Sequence, residues 1–424
     1  MGAVGQLDGK VEVLIIGAGA IGICCAHYLR EHGAEVMVVE KLGICSGASY
    51  GNAGLVVPSY SVPLAAPGVI SQSLKWLINP ESPFYVKPRP KPSLLRWMWK
   101  FACFCNENHV RRSVPIIRDL TRESLRLFKK LSVMPGFDFG FQQKGILELF
   151  ITRPGFEEGK RVLNLLESFE IGGKVIEKTE IEEITHGVES RAVGGILFEE
   201  DALLIPDKFV KQLADHEVKG GLKIETNAEV LSFDVSESKV RSVRTTKGTI
   251  YPDQVVLAAG AWSKVIARDL NPRLMIEPAK GYSVTFKKPQ ACPEVPASLA
   301  EARVVITPMG DTVRFAGMLE LAGFDESINK RRVRAVLRAV AEYLPGLDSQ
   351  GLDFIEIWQG LRPCTPDGLP YIAVHPKYNN LILASGHGML GISLAPATGK
   401  LVAQILSGDK PFIDISPFQI GRFY

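Results

Sequence analysis

The 424-residue sequence is poor in the features that mark several protein classes. Its seven cysteines, an odd number, are scattered without zinc-type pairs: Cys24 and Cys25 are adjacent, and Cys103 and Cys105 are two apart. This argues against a disulfide framework and for reduced thiols in the cytoplasm. No sign of charge dominates. A formal net charge of +3, with no long basic run, excludes a binder of nucleic acid led by electrostatics. No uninterrupted apolar run reaches the ~18 residues of a spanning helix, so no crossing of a membrane is expected. The apolar stretch Val13–Leu29 lacks the basic start and cleavage site of a secretory signal. There is no internal repeat and no low-complexity tract.

What is present is concentrated in Val11–Glu40. An apolar strand, Val13–Ile16, runs directly into Gly17, Gly19 and Gly22 in G-x-G-x-x-G spacing, followed by a helix and a second apolar strand that ends on Glu40. The first glycine permits a tight turn, the second lets backbone approach a pyrophosphate, and the third lets helix and strand pack closely. The N–H groups that open the helix favour negative charge. Glu40 falls at roughly the 20-residue offset where an acid accepts hydrogen bonds from an adenosine ribose. The unit is that of a dinucleotide binder.

A nicotinamide enzyme would place a second mononucleotide half soon afterwards. Here the chain leaves into Ser46–Gly68, rich in Gly, Pro and small residues, and into the proline-rich Ser73–Pro92. It returns to a nucleotide-type pattern only at Ile205–Trp262, which favours a flavin over a nicotinamide. Helices are expected at Ser113–Leu131, Phe156–Phe169, Lys330–Tyr343 and Ala397–Leu406. Gln254–Ala259 and Leu381–Ser385 read as buried strands, and Gly281–Phe286 and Thr312–Gly317 as antiparallel ones. The expected class is α/β (α+β overall). A Rossmann-like flavin-nucleotide (FAD) domain would be assembled from residues 1–85, 200–265 and 355–424. An antiparallel-sheet substrate domain with helices takes 86–199 and 266–354.

The stretches GASYGNAG, PSYSVPLAAPG, KGYSVTF, FAGMLELAGF, GLRPCTPDGLPYIA and LILASGHGMLGISLAPATG run from end to end of the chain. With them the sequence resembles the FAD-dependent oxidoreductases of the D-amino-acid oxidase superfamily, and within it the D-amino-acid dehydrogenases of small-subunit type. The resemblance implies non-covalent FAD. Gly17, Gly19, Ala20, Ile21 and Gly22 would face the pyrophosphate, and Glu40 and Lys41 the ribose. Ala48, Ser49, Asn52, Ala53, Gly54 and Leu55 would form a flavin-contacting segment. Val230 would lie on the adenine side, with Gly260 and Trp262 also at the cofactor. His387, Gly388, Met389, Leu390, Gly391, Ile392 and Ser393 would form the loop beside the isoalloxazine.

Arg362 matches the arginine that grips the substrate carboxylate in the family, where a planar guanidinium gives two parallel hydrogen bonds. Tyr282 and Tyr60 are candidates for lining the pocket or bonding the same carboxylate, and each equally suits a core aromatic. Val305 and Met389 stand where related glycine oxidases carry a tyrosine and an arginine, which implies a roomier, more apolar pocket flanked also by Glu320. Gly360 replaces the cysteine of covalent-flavin relatives. The implied reaction is hydride transfer from Cα of a D-amino acid to flavin N5, giving an imino acid that water hydrolyses to a 2-oxo acid and ammonia, with electrons passed to a quinone or another carrier. Oxidation of a secondary amine (D-proline, hydroxyproline, glycine or sarcosine), or a flavin subunit within a larger electron-transfer complex, are the alternatives. Leu94–Arg112, aromatic and basic, reads either as a helix covering the substrate site or as a peripheral contact with the inner face of the cytoplasmic membrane.

Overall fold

The computed structural model describes residues 8–70, 81–270 and 273–424. Residues 73–80 of the proline-rich stretch therefore lie outside the described residues. Among those described, two large sheets carry the architecture.

The first, of eight strands, grows from the opening unit. Gly9–Ile16 lies between Val36–Val39 and Gly248–Leu257, parallel to both. Lys223–Glu225 extends one edge in parallel. On the other side, Gly248–Leu257 is shared: its first part forms a hairpin ladder with Lys239–Thr245, and its last residues pair in parallel with Leu381–Ser385. The central strands are buried on both faces, which is why they read as continuous apolar runs rather than alternating ones. Helices Ala20–Glu31, Pro206–Lys219 and Ala395–Ser407 cover one face, where Cys24, Cys25, Leu213 and Leu401 join a single core.

The second sheet has nine strands and is mostly antiparallel. Its order runs Phe354–Cys364, Glu277–Lys287, Thr312–Leu321, Val304–Met309, Ala297–Leu299, Ile146–Phe150, Gly194–Phe198, Lys174–Glu177, with Phe84–Val86 beside Thr312–Leu321. Helix Lys330–Tyr343 packs its Val333, Val336 and Val340 against Tyr282, Val284 and Phe286 on one face. Strand Phe354–Cys364 belongs to this sheet, although the expected division gave residues from 355 onward to the FAD-binding part. Its ladder of ten residue pairs with Glu277–Lys287 carries it there.

The expected helices and strands stand within a few residues of their places, and two local differences matter. The stretch Leu94–Arg112 is not one helix: Pro92–Phe104 ends at Cys105, and the Asn106 side chain accepts from the His109 N–H to start Glu107–Ser132. Ser46–Gly68 is not wholly irregular either, because Leu55–Val56 pairs with Ala202–Leu203.

Candidate active site

The parallel pairing stops together, at Ile16, Val39, Leu257 and Leu383, and the crevice beyond collects residues from distant parts of the chain. Gly17 adopts φ +110°, open only to glycine without strain. A Cβ at Gly22 would sit 1.9 Å from the Gly17 carbonyl oxygen, so no larger residue lets the helix leave the strand this tightly. The Ala20 N–H donates to Ser49 Oγ at 3.1 Å, pinning the Ala48–Leu55 segment to the start of the helix that continues through Ile21. Glu40 turns its carboxylate back onto the turn, accepting from the Ala18 and Leu42 N–H groups at 2.9 and 3.0 Å. Val230 is drawn to the same place, since the Ala228 N–H donates to the Glu40 carbonyl at 2.8 Å. Lys41 pairs with Glu229 at 2.9 Å and lies 5.5 Å above the Trp262 ring, so both mark the rim. The Gly260 carbonyl is fixed by Ser385 Oγ at 2.8 Å.

The Ala48–Leu55 segment is held from a second side. Asn52 Oδ1 accepts from the Gly54 N–H, and the buried guanidinium of Arg314 donates to the carbonyls of Tyr50 and Asn52, both at 2.9 Å. Ala53 and Leu55 then face an apolar cluster with Tyr60, Val305 and Leu390. Arg314 escaped the sequence reading, because one arginine in an antiparallel strand looks like a solvated charge. The only local hint was its position between two apolar residues.

The loop His387–Ser393 closes the crevice. The Gly388 N–H donates to the Pro363 carbonyl at 2.9 Å, and Ser393 Oγ donates to the Leu55 carbonyl at 2.6 Å. Met389 is exposed, Gly391 half-buried, and the Ile392 side chain is turned into the core of the first sheet. His387 is buried against Thr398 Oγ1 at 3.0 Å, and burial pushes its imidazole down to about 3. A neutral imidazole of that kind is a poor general base.

Arg362 lies next to this loop. Its guanidinium crosses strand Glu277–Lys287 at Gly281, where a Cβ would fall 2.0 Å from Nη1, and it donates to the Met318 carbonyl at 2.7 Å. Met318 has φ +64° at an irregularity in the ladder, which turns that carbonyl toward the arginine. The group is deeply packed yet keeps some accessible surface, and burial pulls its pKa below the ordinary value. Among the described residues no carboxylate reaches it within ion-pair distance. A buried cation so placed is costly unless an anion meets it.

The two tyrosines part company. Tyr282 pairs with Gln359, one residue out of phase with the Arg362–Ala279 and Gly281–Gly360 pairs, so it stands on the opposite face. There its hydroxyl donates to Glu320 at 2.8 Å, and Arg332 lies 3.4 Å from the same carboxylate. Tyr282 and Glu320 are thus structural partners under helix Lys330–Tyr343 and do not line the Arg362 face. The alternation of Tyr282, Val284 and Phe286 with Gly281, Ser283 and Thr285 was the signal for this. Tyr60 lies with Val305 and Leu390, its hydroxyl donating to Ser298 Oγ at 2.7 Å.

The crevice fits an adenine dinucleotide carrying a flavin. The glycine turn brings bare backbone to the strand ends, Glu40 stands beside it, and a Cβ at Gly388 would meet nothing within 4 Å, so the last loop borders open space. Residues 12–405 match the family described as FAD dependent oxidoreductase (DAO). A D-amino acid dehydrogenase of Granulibacter bethesdensis is 30% identical over 97% of this chain and 100% of its own length. Two solved structures share the fold: glycine oxidase from Geobacillus kaustophilus (TM-score 0.79, 23% identity, 97% of this chain and 99% of that one) and L-proline dehydrogenase from P. horikoshii (TM-score 0.76, 22%, 98% and 98%). The chain belongs to the DAO family of FAD-dependent oxidoreductases. FAD is its cofactor.

Proposed function

We propose that the chain oxidises D-amino acids to 2-oxo acids and ammonia, passing the electrons to a quinone or another carrier. The observation that carries this reading is Arg362, an inward guanidinium with a carbonyl on one side and, among the described residues, no counter-ion. Its remaining donors suit a substrate carboxylate. FAD, when bound, supplies the two-electron oxidant. Arg362 fixes the carboxyl end and so orients the Cα–H bond; Gly281 makes room for the guanidinium, and Tyr60, Val305 and Leu390 bound the side chain. His387 is too weak a base to take a proton near neutral pH, so the substrate amine arrives deprotonated. The names of the curated relatives supply the D-configuration.

Helix Pro92–Phe104 supports both readings of that region. Its inner face buries Leu94, Trp97 and Phe101, with Trp97 Nε1 donating to the Cys364 carbonyl at 3.0 Å, so it covers the strand that bears Arg362. Its outer face exposes Leu95 and Trp99 among Lys91, Arg96 and Lys100, which suits peripheral contact with an anionic bilayer. Among the described residues no helix is long and apolar enough to cross a membrane.

Anaerobic mixing with D- and L-alanine, D- and L-proline, and glycine tests the assignment. D-amino acids should bleach the flavin absorbance and their L-forms should not; bleaching by D-proline without D-alanine would establish the secondary-amine alternative, and bleaching by glycine alone a glycine-oxidising one. Dye-linked turnover of the isolated chain would exclude a purely assembling subunit.

A further inference from the structure

We propose that Glu148 is a specificity-determining residue at the far end of the substrate pocket, and that it receives a cationic side chain such as the guanidinium of D-arginine or the ammonium of D-lysine. The inference rests on the reading of Arg362 as the carboxylate anchor.

Glu148 lies on strand Ile146–Phe150, paired in parallel register with Ser298, which in turn pairs with Val305, which pairs with Ala316. Paired residues share a face, and Ala316 pairs with Ser283, two residues from Gly281 on the Arg362 face. The nine-stranded sheet therefore presents one surface with a guanidinium near its middle and a carboxylate farther along. Tyr60 marks the carboxylate's surroundings: its hydroxyl is bonded to Ser298, and it feels the charge of Glu148. Ile146, on the same strand face, packs with Leu55 and Val57, the apolar cluster that also holds Val305 and Leu390.

Among the described residues the Glu148 carboxylate has neither a hydrogen bond nor an ion pair; the residue is half-buried and its oxygens keep accessible surface. Burial raises its pKa, and Arg303 acts on it only at longer range, from an exposed position. Glu301, the other acid nearby, is already engaged by Thr152 and Tyr343. A half-buried carboxylate without a partner is partly desolvated, and a cation brought by the substrate offsets that cost.

The span also agrees. The Arg362 guanidinium is tied to Met318 on strand Thr312–Leu321, and Glu148 stands three strands away and, level with Ala316, two residues along, about 16 Å at ~4.8 Å per strand and ~3.4 Å per residue. An extended arginine side chain separates its carboxylate and guanidinium by about 7.5 Å from standard bond lengths, and hydrogen bonds of about 3 Å at each end, with the reach of the Glu148 side chain, complete the distance. D-alanine leaves the far end unfilled.

The test compares kcat/KM for D-arginine, D-lysine and D-alanine in the FAD-loaded wild type and Glu148→Gln. The variant should lower the two basic substrates about 10- to 100-fold and leave D-alanine within about threefold. Equal losses on all three, or no loss on any, would overturn the proposal. A readout without turnover uses 5-guanidinovalerate and valerate, which carry the carboxylate and lack the oxidisable amine. The first should perturb the flavin spectrum at about tenfold lower concentration than the second, with the difference abolished in Glu148→Gln. Equal affinities in the wild type overturn the Glu148 assignment; absence of D-amino-acid turnover, with that difference intact, overturns only the oxidation reading.

Discussion

The two sheets differ in how they make a site. The parallel sheet works mainly through backbone: glycines at a strand end, N–H groups at a helix start and one carboxylate folded back onto the turn. The antiparallel sheet works through side chains on a single face, where Arg362, Arg314, Val305 and Glu148 stand on strands brought together from far apart in sequence. Backbone sites tolerate no added volume, whereas side-chain sites tolerate change of shape and fail with change of charge.

The sharpest way to break this comparison is Gly22→Ala. With its Cβ set 1.9 Å from the Gly17 carbonyl, the variant should be purified without flavin absorbance; full FAD content would show that the turn has slack. Arg362→Met should keep FAD and lose about 10³-fold in kcat/KM for D-amino acids, since one partner of a buried charge pair is removed. A loss confined to FAD content would move Arg362 to the cofactor. Arg314→Met tests whether the sheets are independent. It deletes two charge-assisted bonds to the Tyr50 and Asn52 carbonyls, so thermal unfolding should show a loss of about 2–3 kcal/mol together with weaker FAD retention.

Asp201 gives a pH signature. It is fully buried, and desolvation raises its carboxyl to about 8 despite the Ser59 N–H and hydroxyl bonded to it. A carboxyl raised on folding binds its proton in the native state. Its stabilising contribution is therefore complete below the unfolded value of ~3.9, declines as pH rises, and is gone above about 8. Compared with Asp201→Asn, the wild type should lose up to about 1.4 kcal/mol per pH unit across that window. Parallel stability curves would show that Asp201 titrates normally. The smallest effect belongs to Tyr282→Phe, expected to cost about 1 kcal/mol in stability and to change kcat/KM less than twofold. A large catalytic defect would put Tyr282 back on the Arg362 face.

Much of the first sheet was legible because its signals are local. Strand, turn, helix and acid follow one another within thirty residues, and each has a chemical reason to be where it is. The second sheet was legible only in pieces. Gly281–Phe286 and Thr312–Gly317 showed their alternation, but Phe354–Cys364 did not read as a strand, since Gly360, Arg362 and Pro363 interrupt it. Arg314 and Glu148 carried no motif, because an isolated charge in a strand gives no sign of what the neighbouring strands bring to it. The place of Tyr282 turned on register, since a shift of one residue exchanges the two faces of a strand.

Sequence alone determined the family, and short segments whose geometry is set by their own steric limits were enough to propose the cofactor-binding turn and Arg362 as the carboxylate anchor. Tertiary structure alone decided which charges share a face and which are left without a partner. Ion pairing and desolvation depend on distance in space, and the ladder of the antiparallel sheet sets those distances between strands more than two hundred residues apart along the chain.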